Sequence, residues 1–143
     1  MIALDTNLLV SAHRARVPEH LAARAAVEEA RRQAAGWGFA SASVLEFWAV
    51  VTHPSASGRP STPHEARSFI DALIAAGARV LRPSARTDGL VLAEAERTGC
   101  VGPRVFDLAI ALTVLEHGAT SLWTHDLRSV RVPGLAIVDP LAR

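Results

Sequence analysis

The strongest constraint on this chain is a rhythm. Apolar runs of a few residues alternate with longer helical stretches, and several of the runs end at an acid. Ile2-Ala3-Leu4 stops at Asp5, and Leu122-Trp123-Thr124-His125 leads to Asp126. Runs this short suit strands buried on both faces, and the alternation with helices implies a parallel sheet. The fold class that follows is α/β: a central parallel sheet with helices on both faces. With 143 residues, half of them apolar, the chain fills one domain, 1–143, and falls short of two.

Ile2 to Asp5 forms a strand, and a helix follows to His13, with Asn7 able to cap it and Asp5 the other candidate cap. Pro18 opens a helix to Ala35, which Gly36-Trp37-Gly38 breaks, and Phe39 to Ser41 is a short strand. Ser43 caps a helix through Thr52, and His53 to Pro63 is a loop. Thr62-Pro63-x-Glu65 starts a helix ending near Gly77. Arg79–Leu81 is a strand, Ser84–Thr98 a helix closed by Gly99, and Val105–His117 an apolar helix ended by Gly118. Strands at Ser121–Thr124 and Leu135–Val138 complete the chain.

Two further acids lie inside apolar sequence. Glu46 interrupts Val44-Leu45-Phe47-Trp48, and Asp107 interrupts Val105-Phe106-Leu108-Ala109-Ile110. Acids are seldom buried unless paired or bound to metal. In an open parallel sheet the carboxyl ends of the strands form the ligand-binding rim, and all four acids can meet there. Carboxylates gathered so closely need a divalent cation, and an all-oxygen donor set suits Mg²⁺ or Mn²⁺. Such an ion can activate water toward phosphorus, which points to phosphodiester hydrolysis.

Composition narrows the field further. All the basic residues are Arg, so no mechanism can use a Schiff-base or P-loop lysine. The net charge of +1 provides no general pull on nucleic acid. The single Cys100 fits a reducing cytoplasm, and no apolar run approaches the roughly 20 residues of a membrane span. Met1-Ile2-Ala3-Leu4-Asp5 does not read as a signal peptide. Trp48 and Trp123 read as core residues. Glu28, Glu29, Glu94, Glu96 and Glu116 read as surface charge, and Arg14, Arg16, Arg31 and Arg32 as solvated helix faces.

The motifs also resemble a family. Leu4-Asp5-Thr6-Asn7-Leu8-Leu9-Val10, Ser43-Val44-Leu45-Glu46-Phe47, Phe106-Asp107-Leu108-Ala109-Ile110-Ala111 and Leu122-Trp123-Thr124-His125-Asp126 resemble, in order, the four acidic elements of PIN-domain ribonucleases. Among these the pattern is most similar to VapC toxins of VapBC toxin–antitoxin pairs. The resemblance implies a PIN-like domain and Mg²⁺-dependent cleavage of structured RNA such as tRNA or rRNA. It also implies a homodimer and silencing by a VapB-like antitoxin. Carried over by position, Asp5, Glu46, Asp107 and Asp126 are the catalytic acids, and Asp5, Asp107 and Asp126 are the metal ligands. Thr6, Asn7 and Thr124 orient them. One departure stands out: many members place another Asp two residues after the fourth acid, where this chain has Arg128. Two other readings stay open: a PIN-like module that binds RNA or antitoxin with weakened cutting, and a haloacid dehalogenase-type phosphatase using Asp5 as nucleophile.

Overall fold

A computed structural model describes residues 1–56, 58–126 and 128–142. Ser57, inside the 53–63 loop, falls outside the described residues. The elements are β1 (Ile2–Leu4), α1 (Thr6–His13), α2 (His20–Arg31), β2 (Trp37–Ala40), α3 (Ser41–Val51) and α4 (Pro63–Ala75). They continue as β3 (Arg79–Leu81), α5 (Thr87–Thr98), α6 (Arg104–Glu116), β4 (Ser121–Trp123) and β5 (Ala136–Val138). The five strands form one sheet in the order β3-β2-β1-β4-β5, with every pairing parallel. The strand that begins at Ile2 is thus the middle one.

Helices cover both faces, as expected, because strand residues alternate between two cores. Leu4, Phe39 and Trp123 point into a core shared with α1, α2, α3 and α4. Ala3, Ala40 and Leu122 point the other way, into a core built with α5 and α6. His13, Phe47 and Phe69 stack between α1, α3 and α4, and His13 Nε2 lies 2.8 Å from Ser61 Oγ. Burial favours the neutral His13 ring and lowers its pKa.

Three local readings need correction. Gly36-Trp37-Gly38 is no simple break, because Trp37 and Gly38 belong to β2. A Cβ on Gly38 would lie 2.2 Å from the Arg79 carbonyl oxygen, so glycine is what lets β3 pair alongside. The third helix starts at Ser41 behind Ala40, and Ser43 is a fully buried helix-interior residue whose hydroxyl finds no partner. Trp48 is 38% exposed and is not a core residue, whereas Trp123 is 7% exposed and is. The Thr62–Glu65 capping box forms as read, and it holds the Glu65 carboxyl down at about 2.

Candidate active site

The first turn of α1 builds the centre of the site. Asp5, rather than Asn7, caps this helix: its Oδ1 accepts a 2.8 Å hydrogen bond from the Thr6 amide. The Asn7 amide reaches 117 residues along the chain to donate to Thr124 Oγ1 at 2.8 Å. It also donates to Asp5 Oδ2 at 3.4 Å. Asn7 Oδ1 accepts from the His125 backbone N–H at 3.0 Å, and Thr124 Oγ1 accepts from the Asp126 N–H at 3.1 Å. Asn7 and Thr124 therefore tie the ends of the neighbouring strands β1 and β4 together. They fix Asp5 and Asp126 relative to each other.

Glu46 lies in the second turn of α3, and Asp107 in the first turn of α6. Both carboxylates, like that of Asp5, are half-buried at the same rim. Desolvation raises the Asp5 pKa most, and the Asp126 charge adds to it, while the Thr124 hydroxyl and Thr6 amide oppose the rise. Glu46 is raised by desolvation, then by the charges of Asp5 and Asp107. Asp107 is raised by desolvation, then by Asp5 and Asp126. Residues scattered from position 5 to position 126 thus repel one another across a single pocket.

Asp126 behaves differently. Its Oδ1 accepts from the Arg128 backbone N–H at 2.9 Å and from Arg128 Nε at 3.4 Å, and its pKa is lowered, chiefly by the backbone bond. The position two residues after the fourth acid therefore supplies a local cation. Among the described residues, no three His, Cys, Asp or Glu side chains close to metal-cage separations. The donor set still suits a hard divalent ion. It is all oxygen, three of its carboxyls are held above their ordinary pKa, and beside Glu46 the buried Thr6 hydroxyl lacks a hydrogen bond of ordinary geometry.

Sequence reading missed one group here. Asp139, just beyond β5, places both carboxylate oxygens 3.0 and 3.1 Å from His125 Nδ1. The two residues are 14 apart with a strand between them, so no local spacing announces the pair.

The PIN domain family matches residues 2–135. The chain belongs to the PIN-domain family. Within it, a VapC ribonuclease of Mycobacterium bovis and ribonuclease VapC43 of Mycobacterium tuberculosis are each 32% identical to this PIN domain. Each match spans 123 residues, 85% of this chain and 84% of the relative. Solved structures share the fold at lower identity. VapC20 of Mycobacterium tuberculosis, described as a Sarcin-Ricin loop cleaving toxin, superposes with a TM-score of 0.70 at 12% identity, covering 90% of this chain and 92% of that one. VapBC2 of Rickettsia felis, bound to a promoter DNA fragment, gives 0.64 at 20% identity, covering 96% and 98%. Among the described residues, no helix is long and apolar enough to cross a membrane.

Proposed function

We propose that this protein is a divalent-metal-dependent endoribonuclease, the VapC-type toxin of a pair whose VapB-like antitoxin silences it. In this reading it works in the cytoplasm as a homodimer and cuts tRNA or rRNA. One observation carries the reading: Asp5, Glu46 and Asp107, from three separate elements, share a rim where each raises or is raised by another's charge. A fold seldom keeps such repulsion without a cationic ligand to relieve it.

Asp5, Asp107 and Asp126 would hold Mg²⁺ or Mn²⁺. Bound there, such an ion would supply a Lewis acid that lowers the pKa of water and offsets charge on phosphate oxygens. Asn7 and Thr124 keep Asp5 in position through the bonds that also hold the β4 end. Glu46, its carboxyl raised toward neutrality, is suited to take or hold a proton at the rim. An apolar groove of about 490 Å³ beside Glu46 and Asp107 exposes Leu45 by 72% and Phe106 by 62%, which supports a protein partner covering the site.

The Arg128 contact favours a second reading, a weakened nuclease that chiefly binds RNA or antitoxin, because Asp126 already has a cation. One experiment separates the two. Purified protein should cut bulk tRNA or rRNA with Mg²⁺ or Mn²⁺ and stop in EDTA, and Asp5→Asn should abolish cutting. Equal cutting by the variant and the parent, in a preparation free of other nucleases, would sink the assignment.

A further inference from the structure

The acids repel RNA as strongly as they attract metal, so the substrate needs a cationic foothold nearby. With a net charge of only +1, the chain cannot supply it globally. One cleft supplies it locally. A cavity of about 380 Å³ opens between the C-terminal end of α5, the start of α6 and residues 130–131. Thr98, Cys100, Leu108 and Val130 line it, together with Arg104 and Arg131.

Arg104 is the link to the active site. The same residue lines the neighbouring groove that holds Glu46 and Asp107. Its charge also draws down the pKa values of Asp107 and Asp126, so it stands between the acids and the cleft. Its Nη2 donates 3.4 Å to the Arg128 carbonyl, and among the described residues the rest of its fork has no hydrogen-bond acceptor. Arg131 is exposed and makes no ion pair or hydrogen bond among the described residues. The one acid in the lining, Glu94, is already paired with Arg97. Many other arginines are partnered instead: Arg31 with Glu28, Arg59 with Glu65, Arg67 with Asp71. Two guanidinium groups line one cavity, Arg131 with no carboxylate partner among the described residues and Arg104 facing the rim acids; beside a phosphodiester-cutting centre they match a phosphate in charge and hydrogen-bonding shape.

We propose that this cleft is an RNA subsite in which Arg104 and Arg131 grip the backbone phosphate of a nucleotide flanking the bond that is cut. The proposal rests on the nuclease reading and deepens it. It gives the RNA strand a direction, from the acid rim past Arg104 toward Arg131.

Cys100 makes the test direct, because it is the only cysteine of the chain, is partly exposed and lines the cleft. The full chain carrying Asp5→Asn, which prevents cutting, is mixed with bulk tRNA, and alkylation of Cys100 by a maleimide is timed. RNA should slow labelling, and a bulky adduct on Cys100 should weaken RNA binding. In the parent background, Arg131→Glu should raise KM and the RNA Kd about five- to tenfold, with a smaller fall in saturated turnover. It should also lower the slope of log affinity against log salt by about 1. Arg67→Glu, on α4 away from the cleft, is the control and should leave KM and the salt slope at parent values. If Cys100 labels equally fast with RNA bound and Arg131→Glu binds RNA like the parent, the subsite is wrong, and Asp5→Asn still reports on the nuclease reading. If an acidic polypeptide protects Cys100 and RNA does not, the cleft is a protein contact and the proposal fails. If the parent binds no RNA at all, both readings fall together.

Discussion

Asp107 and Glu116 sit at opposite ends of one helix, α6, and met opposite fates. Glu116 is fully served: it accepts from the Ser84 N–H at 2.8 Å, the Ser84 hydroxyl at 2.9 Å and the Thr87 hydroxyl at 2.8 Å. Its pKa is lowered, first by the backbone bond. Asp107 accepts no hydrogen bond among the described residues; its pKa is raised, first by desolvation and then by the charges of Asp5 and Asp126, with Arg104 opposing in part. One acid fastens α6 to the turn before α5. The other is held at a cost in folding energy. On the nuclease reading, the difference separates a structural carboxylate from a working one more sharply than exposure does, since both are within reach of solvent.

The contrast can be broken most forcefully by activity. Asp107→Asn should cut RNA at least about tenfold more slowly, since losing a proposed metal ligand costs no less than disturbing the groups that orient one, while Glu116→Gln stays within about twofold of the parent. Equal losses in both variants would erase the distinction. Metal comes next. Millimolar Mg²⁺ or Mn²⁺ should raise the melting temperature of the parent and of Glu116→Gln by several degrees, and that of Asp107→Asn by much less, as read by calorimetry.

Stability against pH sharpens the comparison, because the signs are opposite. A raised carboxyl pKa stabilises the fold fully below the ordinary value, and that contribution is lost as pH rises through the folded value; Asp5, Glu46 and Asp107 are of this kind. A lowered one stabilises above the ordinary 4.5 and is lost as pH falls through the folded value, as for Glu116. Without metal, Asp107→Asn should therefore gain on the parent as pH climbs from about 4 to about 7. Glu116→Gln should trail the parent by about 1 kcal/mol near neutrality, a figure discounted for its exposure, and converge with it as pH falls through the lowered folded value. Denaturant melts at each pH read both. The smallest effect belongs to Arg128→Ala: freeing Asp126 from an exposed ion pair should tighten Mn²⁺ binding about two- to threefold by titration calorimetry. Unchanged affinity would remove Arg128 from any account of the metal.

The gathering of acids at one rim was legible in sequence. Asp5, Glu46 and Asp107 announce themselves because a charge interrupts a run that would otherwise be core. The parallel sheet was legible because its strands are short and uninterrupted by polar residues. The structural carboxylate was not. Glu116 reads as surface charge, and its partners Ser84 and Thr87 lie 32 and 29 residues away, where only tertiary folding can bring them. The His125–Asp139 pair escaped for the same reason. The cap of α1 stays open in sequence because Asp5 and Asn7 are both good caps, and only the long-range bond to Thr124 decides which one is spent elsewhere. Gly38 was taken for punctuation because its role depends on a carbonyl 41 positions later in sequence, at Arg79.

The central place of β1 also has a bearing on how the chain is made. This strand leaves the ribosome before the neighbours on either side of it, and one of them, β4, does not exist until residues 121–123 have been translated. Thr124 and Asp126 arrive later still. A ribosome that stalls partway through the message therefore releases a polypeptide with Asp5 but no pocket around it. On the nuclease reading, a catalyst that would damage its own host's RNA is thereby kept harmless until its last acid has been built.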